Sequence, residues 1–328
     1  MKLYDIIYGL IARDGREPAL FGNCAPAAYE AFSRSLAGEA FPELWFEIPL
    51  AGKPWFDLHS LVSHGNVAGT QVAFSGQNGV YADALAWFAC QQQSTVRQLA
   101  LSYDVRTGDL DKPAVQLLMD GRDMPVAFGF LEAVNCPNAK EAYRTFIGCM
   151  PKEWYACYIG TFPGRLTEGE PHWIRVECIV GDTLQQAYAD DISVLREHLA
   201  CAGITWLGNE EICAIQQLAR SPFPLEFQFN VGAHGEALPI VSASARFMPW
   251  DWTEPDRCNR IGDLLQEVQS LDLADDRVGQ LAGTVFAKHV THSDESIHLF
   301  CFPAFVKLCW RAGEPACAKA YLMAGARR

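Results

Sequence analysis

Two residue pairs in this chain of 328 residues have the types and spacing that chemistry needs. Asp57 and His59 lie two apart in WFDLHSLV, and Lys319 and Tyr321 lie two apart in AKAYLMA. In an extended strand successive side chains point to opposite faces, so each pair shares one face. A carboxylate beside an imidazole can pass a proton. A lysine beside a phenol can hold an anion, with the ammonium as a point charge and the hydroxyl as a directional donor. Glu47 in LWFEIPL is a further candidate acid. Each of these also has a plainer reading as a polar strand face making local hydrogen bonds. Other polar residues alternate with apolar ones in the same way. They are Arg106 in LSYDVR, Arg175 and Glu177 in WIRVECIV, Glu226 and Gln228 in LEFQFNV, Arg246 in SASAR, and Lys307 in FVKLCW. The cations among them could bind an anionic substrate, and Glu226 with Gln228 and Asn230 could form a polar ladder for it. Arg175 and Glu177 are expected to pair with each other or with neighbours.

Positioning these residues requires strands, and the chain repeats one plan. Five pairs of extended runs are each joined by a turn containing glycine, the signature of a hairpin. They are 44–50 with 55–62, 99–106 with 114–119, 156–162 with 173–180, 225–231 with 240–247, and 302–310 with 316–322. The turns centre near Gly52, Gly108, Gly169, Gly235 and Gly313. Helical patterns precede the hairpins at 27–36, 81–92, 138–149 (with Asn138 as N-cap), 184–202, 210–220, 258–270 and 278–289. Leu225, Phe227, Phe229 and Val231 alternate with Glu226, Gln228 and Asn230, so each strand has one apolar and one polar face. Helices cover the apolar face. An open sheet of ten strands leaves vulnerable edges, and closure removes them while giving the polar face a lumen. The fold expected is therefore an α+β chain whose five helix-plus-hairpin units form one ten-stranded antiparallel barrel with helices outside. No linker or low-complexity segment divides it, so 1–328 reads as one domain.

Composition narrows the function classes. The net charge is −13, from 39 acids and 26 bases, which disfavours nucleic-acid backbones and anionic membranes as partners. The opening MKLYDIIYGLIARDGREP lacks the parts of a secretory signal, and a cytoplasmic location is expected. Twelve cysteines are expected to be reduced, buried small hydrophobes, because their spacings match no zinc site. His289 and His292 with Asp294 nearby lack a further metal ligand, so no metal is expected. No nucleotide-binding, nucleophile-elbow or zincin motif occurs.

The helix–strand–strand plan around a wide polar barrel resembles the ABBA prenyltransferases, named for their αββα units. Lys319-x-Tyr321 looks like the Lys-x-Tyr pairs on lumen strands of the indole-modifying enzymes. LALSYDVRTG is similar to their hydrophobic-Asp-hydrophobic-Arg strand. AGKPWFDLHS sits where that family has Gly-x-Pro-x-Glu carrying its catalytic acid, which makes Asp57, one residue late, the acid here. The Arg-x-Lys-x-Tyr pattern is missing from the middle hairpins, where Arg175-x-Glu177 stands instead. The resemblance implies transfer of an isoprenyl group from a diphosphate co-substrate to a peptide or aromatic acceptor, with no other cofactor. Asp57, His59 or Glu47 would handle the proton. Arg106, Arg175, Arg246, Lys307, Lys319 and Tyr321 would hold the diphosphate. Two alternatives stay open: a non-prenylating barrel that binds a peptide or ligand as a pathway partner, and a hydrolase or isomerase using Asp57 and His59.

Overall fold

The computed structural model describes residues 20–22, 43–74, 79–105, 112–119, 123–162, 173–292 and 295–327. Its strands are β1 (Glu43–Pro49), β2 (Asp57–Val62), β3 (Val96–Tyr103), β4 (Ala114–Met119), β5 (Trp154–Thr161) and β6 (Ile174–Val180). They continue with β7 (Leu225–Val231), β8 (Ala237–Arg246), β9 (Phe286–His292), β10 (Glu295–Arg311) and β11 (Cys317–Arg327). Strands β1 to β8 pair antiparallel in chain order, β8 pairs with β10, and β10 with β11. The pairing of β11 with β1 then closes a ring of ten strands. The sequence-derived hairpins are β1–β2, β3–β4, β5–β6, β7–β8 and β10–β11, so the strand ends that each hairpin joins lie at one rim of the barrel. Gly235 shows why a turn there demands glycine. Its φ is +86°, and a Cβ would meet the Thr145 Cβ at 2.6 Å. Gly108, Gly169 and the expected helix at 27–36 lie outside the described residues.

The helices are α1 (Val67–Phe74), α2 (Gly79–Ala89), α3 (Met124–Ala133), α4 (Ala139–Cys149), α5 (Asp182–Asp190) and α6 (Ile192–Cys201). Then follow α7 (Asn209–Arg220), α8 (Pro255–Ser270) and the short α9 (Val278–Leu281). Helix α7 illustrates their construction. Ile212, Ile215, Leu218 and Ala219 recur at helical spacing and are buried, while Glu210 and Glu211 face the positive N-terminal end of its dipole. The outward strand residues, such as Phe227, Phe229, Val241 and Ala243, meet these helical faces in one continuous apolar layer. Trp154 stacks on Phe227 at 4.9 Å within it and donates its indole N–H to the Tyr188 hydroxyl of α5 at 2.8 Å. None of the described helices is long and apolar enough to cross a membrane.

Several local expectations are corrected. The helix expected over 184–202 breaks at Asp191, whose extended backbone (φ −135°) lets its carboxylate cap α6 at the Ser193 N–H, 2.8 Å away. The helix expected over 278–289 ends at Leu281, and Phe286–His292 is instead the strand β9, paired with Glu295–Cys301 of β10. Alternation in FAKHVTH outweighs helical propensity there. Asn138 occupies the N-cap position of α4 but makes no side-chain cap bond. Helices α1 and α3 were not anticipated. The described cysteines are free thiols, but not all are buried: Cys90, Cys149, Cys201, Cys213 and Cys317 are exposed, four of them on or next to helices whose buried stripe lies elsewhere.

Two bulges alter facing. In β5 the register shifts between Ala156 and Tyr158, which turns Tyr158 inward. In β10 it shifts between Pro303 and Phe305, so that Phe302 and Phe305 both face inward on either side of the extra residue.

Candidate functional site

The polar face lines a cavity with about 720 Å³ of empty space, its mouth included. His59, Arg175, Glu177, Glu226, Gln228, Arg246, Lys307 and Tyr321 reach it beside Trp45, Tyr158 and Phe305. Two carboxylate centres organise this wall.

The first centre is Glu47. Register puts it directly opposite Tyr321 of β11 on one side and Asp57 of β2 on the other. The Tyr321 hydroxyl donates to Glu47 Oε2 at 2.6 Å, and Lys319 Nζ donates to Oε1. His59 Nε2 lies 3.5 Å from Oε2, while its Nδ1 is hydrogen-bonded to Ser102 Oγ at 2.6 Å. Burial works against ionisation of Glu47, but Lys319 and His59 together hold its carboxyl well below the usual carboxylate range. The same Glu47 charge raises Lys319, and it joins burial in pushing Tyr321 well above an ordinary phenol. Asp57 is different. Burial, then the nearby charges of Glu47 and Asp104, push it up to about 8, and it shares a hydrogen bond with Asp104. His59 and Asp57 do share a face, yet the imidazole is engaged with Glu47 and Ser102.

The second centre joins Glu177 of β6 to Glu226 of β7. Glu177 accepts from Gln228 Nε2 at 2.8 Å, and Lys307 Nζ stands 3.9 Å away. Glu226 Oε1 is 3.0 Å from Arg246 Nη1. Burial opposes ionisation of Glu177, but Lys307 and hydrogen bonds from Glu226 and Gln228 keep it low. Burial pushes Glu226 up to about 8, against the pull of Arg246 and with the Glu177 charge adding to the rise. Lys307 also links the centres, since its ammonium lies 3.4 Å from the Tyr321 hydroxyl and over that ring at 4.8 Å.

Arg175 does not pair with Glu177. Its Nε donates to Asn230 Oδ1 at 3.2 Å and its guanidinium lies 4.7 Å from the Phe162 ring centre. Opposite it, Gly160 leaves room: a Cβ there would meet Gln116 Cγ at 3.1 Å. Arg106 lies outside the described residues. Sequence reasoning missed Gln116, Tyr158 and Phe305 as lining residues. The Trp45 Nε1 donor and the Gln116 Oε1 acceptor are both buried, without a hydrogen-bond partner among the described residues. Toward the rim opposite the hairpin turns, Phe300, Phe302, Phe305 and Tyr321 cluster with Trp45 and Met323. Glu47 and Lys319 thus lie toward the turns, whereas Arg246, opposite Phe305 in register, reaches the aromatic end.

His289 and His292 lie on β9, and His289 stacks on His298 at 4.9 Å. Asp294 lies outside the described residues. No group of three or more His, Cys, Asp or Glu side chains among the described residues is placed to hold a metal ion.

A closed ring of ten antiparallel strands, with helices outside and a polar lumen within, is the fold of the ABBA prenyltransferases. Among solved structures the chain is similar to 5-dimethylallyltryptophan synthase from Streptomyces coelicolor, with 12% identity, a TM-score of 0.58 and coverage of 98% of this chain and 97% of that one. It is also similar to the prenyltransferase PriB in its apo form, with 13% identity, a TM-score of 0.56 and coverage of 98% and 96%. The complex of PriB with L-tryptophan and dimethylallyl thiolodiphosphate matches at 13% identity and a TM-score of 0.55, with the same coverage. At the level of sequence, no protein-family model and no curated protein matches the chain.

Proposed function

We propose that this chain transfers an isoprenyl group from a diphosphate donor to an aromatic acceptor, either a small molecule or an aromatic side chain of a peptide. The observation that carries the reading is Glu47, an ionised carboxylate bound by Lys319 and Tyr321 on the inner face of the barrel. The fold supports it, because enzymes named for dimethylallyl transfer to tryptophan share it from end to end.

The chemistry assigns the residues as follows. As the bond from the allylic carbon to the diphosphate oxygen breaks, negative charge grows on the leaving group and positive charge on the allyl fragment. Arg175, Arg246, Lys307 and Lys319 are the lumen cations that would stabilise the first. The rings of Trp45, Tyr158, Phe305 and Tyr321 would shield the second from water. Glu47 would accept the proton that the acceptor loses after the new carbon–carbon bond forms. Neutral Asp57 and Glu226 matter here. With both protonated near pH 7, the cations outnumber the ionised lumen carboxylates, which suits a multiply charged donor. Trp45 Nε1 and Gln116 Oε1 offer one donor and one acceptor to orient the acceptor molecule.

A second reading, a barrel that binds an aromatic ligand without transfer, is favoured by the engagement of the cations with protein groups: Lys319 with Glu47, Arg246 with Glu226 and Lys307 with Glu177. One experiment separates the two. Purified protein is incubated with dimethylallyl diphosphate and tryptophan, tyrosine or short peptides containing them, and products are followed by mass spectrometry. Transfer predicts an acceptor heavier by one dimethylallyl group and release of diphosphate, lost in Glu47→Gln. Ligand-induced thermal stabilisation with no product for any acceptor supports the second reading instead.

A further inference from the structure

Cys309 and Cys317 stand directly opposite each other on β10 and β11, on the lumen face and close to the hairpin-turn rim. Leu50 N–H donates to the Ala318 carbonyl, so the backbone groups of Ala318 face β1 and those of Cys317 face β10. Facing residues at such a register have Cα atoms about 5.5 Å apart, inside the ~4.4–6.8 Å that a disulfide spans. The two thiols hydrogen-bond each other, and Ser242 Oγ donates to Cys309 Sγ at 3.3 Å. Cys317 is exposed, whereas Cys309 is partly covered. The pair thus combines facing register with access from solvent on one side.

We infer that Cys309 and Cys317 form a redox-active dithiol site at the mouth of the lumen, oxidised reversibly to a cross-strand disulfide by a low-molecular-weight disulfide such as glutathione disulfide. The site does not depend on the proposed transferase activity. The hydrogen bond from Cys317, opposed by burial and helped by Lys319 and Lys307, lowers Cys309 to about 6, so the pair holds a single proton near neutral pH. At rest the proton stays on Cys317, whose thiol is raised by its hydrogen bond to Cys309, by burial and by the Cys309 charge, and passing it along that hydrogen bond to Cys309 leaves the thiolate on the exposed sulfur. Cys317 attacks one sulfur of the oxidant, forming a mixed disulfide and expelling the first glutathione thiolate, which takes a proton from water. Cys309 then gives up its proton to solvent and attacks the Cys317 sulfur, expelling the second glutathione thiolate. The second glutathione thiolate likewise takes a proton from water, so two electrons pass from the cysteines to the oxidant, one proton comes from the cysteine pair and one from solvent, and the oxidant leaves as two thiols. The product ties together the two strands that carry Lys307, Lys319 and Tyr321, and removes a negative sulfur from beside Lys319. Exposed cross-strand disulfides are of the readily reduced kind.

The test uses the full chain, reduced and then incubated with glutathione disulfide at neutral pH. The expected result is the loss of two titratable thiols, a mass lower by two hydrogens, and a non-reducing peptide map that joins the peptides of Cys309 and Cys317. Excess reduced glutathione should reverse all three. Cys317→Ser should abolish the link, while Cys213→Ser, at another exposed cysteine, should retain it. A glutathione adduct that persists on Cys317 with Cys309 free overturns the inference. So does a link between other cysteines, or no reaction at either position.

Discussion

The lumen holds two carboxylate centres on opposite walls, built alike and charged differently. Glu47 and Glu226 are both buried and both touch a cation. Glu47 receives an ammonium, a phenol and an imidazole, with only a protonated acid, Asp57, as its acidic neighbour in register. Glu226 receives one guanidinium and faces the ionised Glu177. Each buried carboxylate must recover its lost hydration from neighbours, and only Glu47 has enough of them. The difference teaches that which carboxylate of this barrel is ionised and which keeps its proton is set by the local count of donors rather than by depth.

The sharpest way to break the comparison is to remove the charge of Glu47. Glu47→Gln should lower kcat by about 10²–10⁴-fold, the usual contribution of a positioned base, with donor binding nearly unchanged. Equal turnover in both proteins would make Glu47 a structural partner of Lys319 only. Next in size is the pH response of the second centre. A carboxyl raised in the folded state stabilises fully below its unfolded value, and that contribution is lost as pH rises through its folded value. With Glu226 at about 8, wild type should therefore lose stability relative to Glu226→Gln between about pH 4.5 and 8, by up to about 5 kcal/mol, and run parallel above that. Urea titrations across that range measure it, and a flat difference would show that Glu226 is ionised throughout.

Lys319→Met should weaken inorganic diphosphate binding by about 1.5–3 kcal/mol in calorimetry, as expected for a lost charge-assisted bond. It should also lift Glu47 toward ordinary acidity, seen as an acid limb of the kcat profile moved to higher pH. The smallest effect belongs to Trp45→Phe. Its Nε1 has no partner among the described residues, so stability should change by under about 0.5 kcal/mol, and any cost should appear in the acceptor KM alone.

Much of the barrel was legible because its signals are local. Turn glycines, period-two alternation and amphipathic helices are each written within a few residues, and they carry β1–β8, α4 and α7. The misses are places where one residue changes the phase. The bulges at Cys157 and Ala304 turn Tyr158 and Phe305 inward, and nothing in YACYIG or CFPAFV announces an extra residue. Asp191 breaks a helix that periodicity would continue. At the site, Glu47, Lys319 and Tyr321 were all candidates, but the proton role was divided among Asp57, His59 and Glu47 because strand facing treats them alike. Only cross-strand register sets Glu47 between Tyr321 and Asp57, and register is fixed by pairings more than two hundred residues apart in the chain, beyond the reach of local pattern.

That separation has a consequence for how the protein is made. Glu47 and Lys319 are 272 positions apart, so at ordinary synthesis rates the ribosome adds the lysine on the order of tens of seconds after the glutamate. Throughout that interval β1 lacks its β11 neighbour, an open sheet edge with a carboxylate on it. The last strand supplies the seal and the counter-charge in a single step. A chain stopped before residue 319 would lack both at once, so incomplete copies of this protein should be inert and prone to edge-to-edge association.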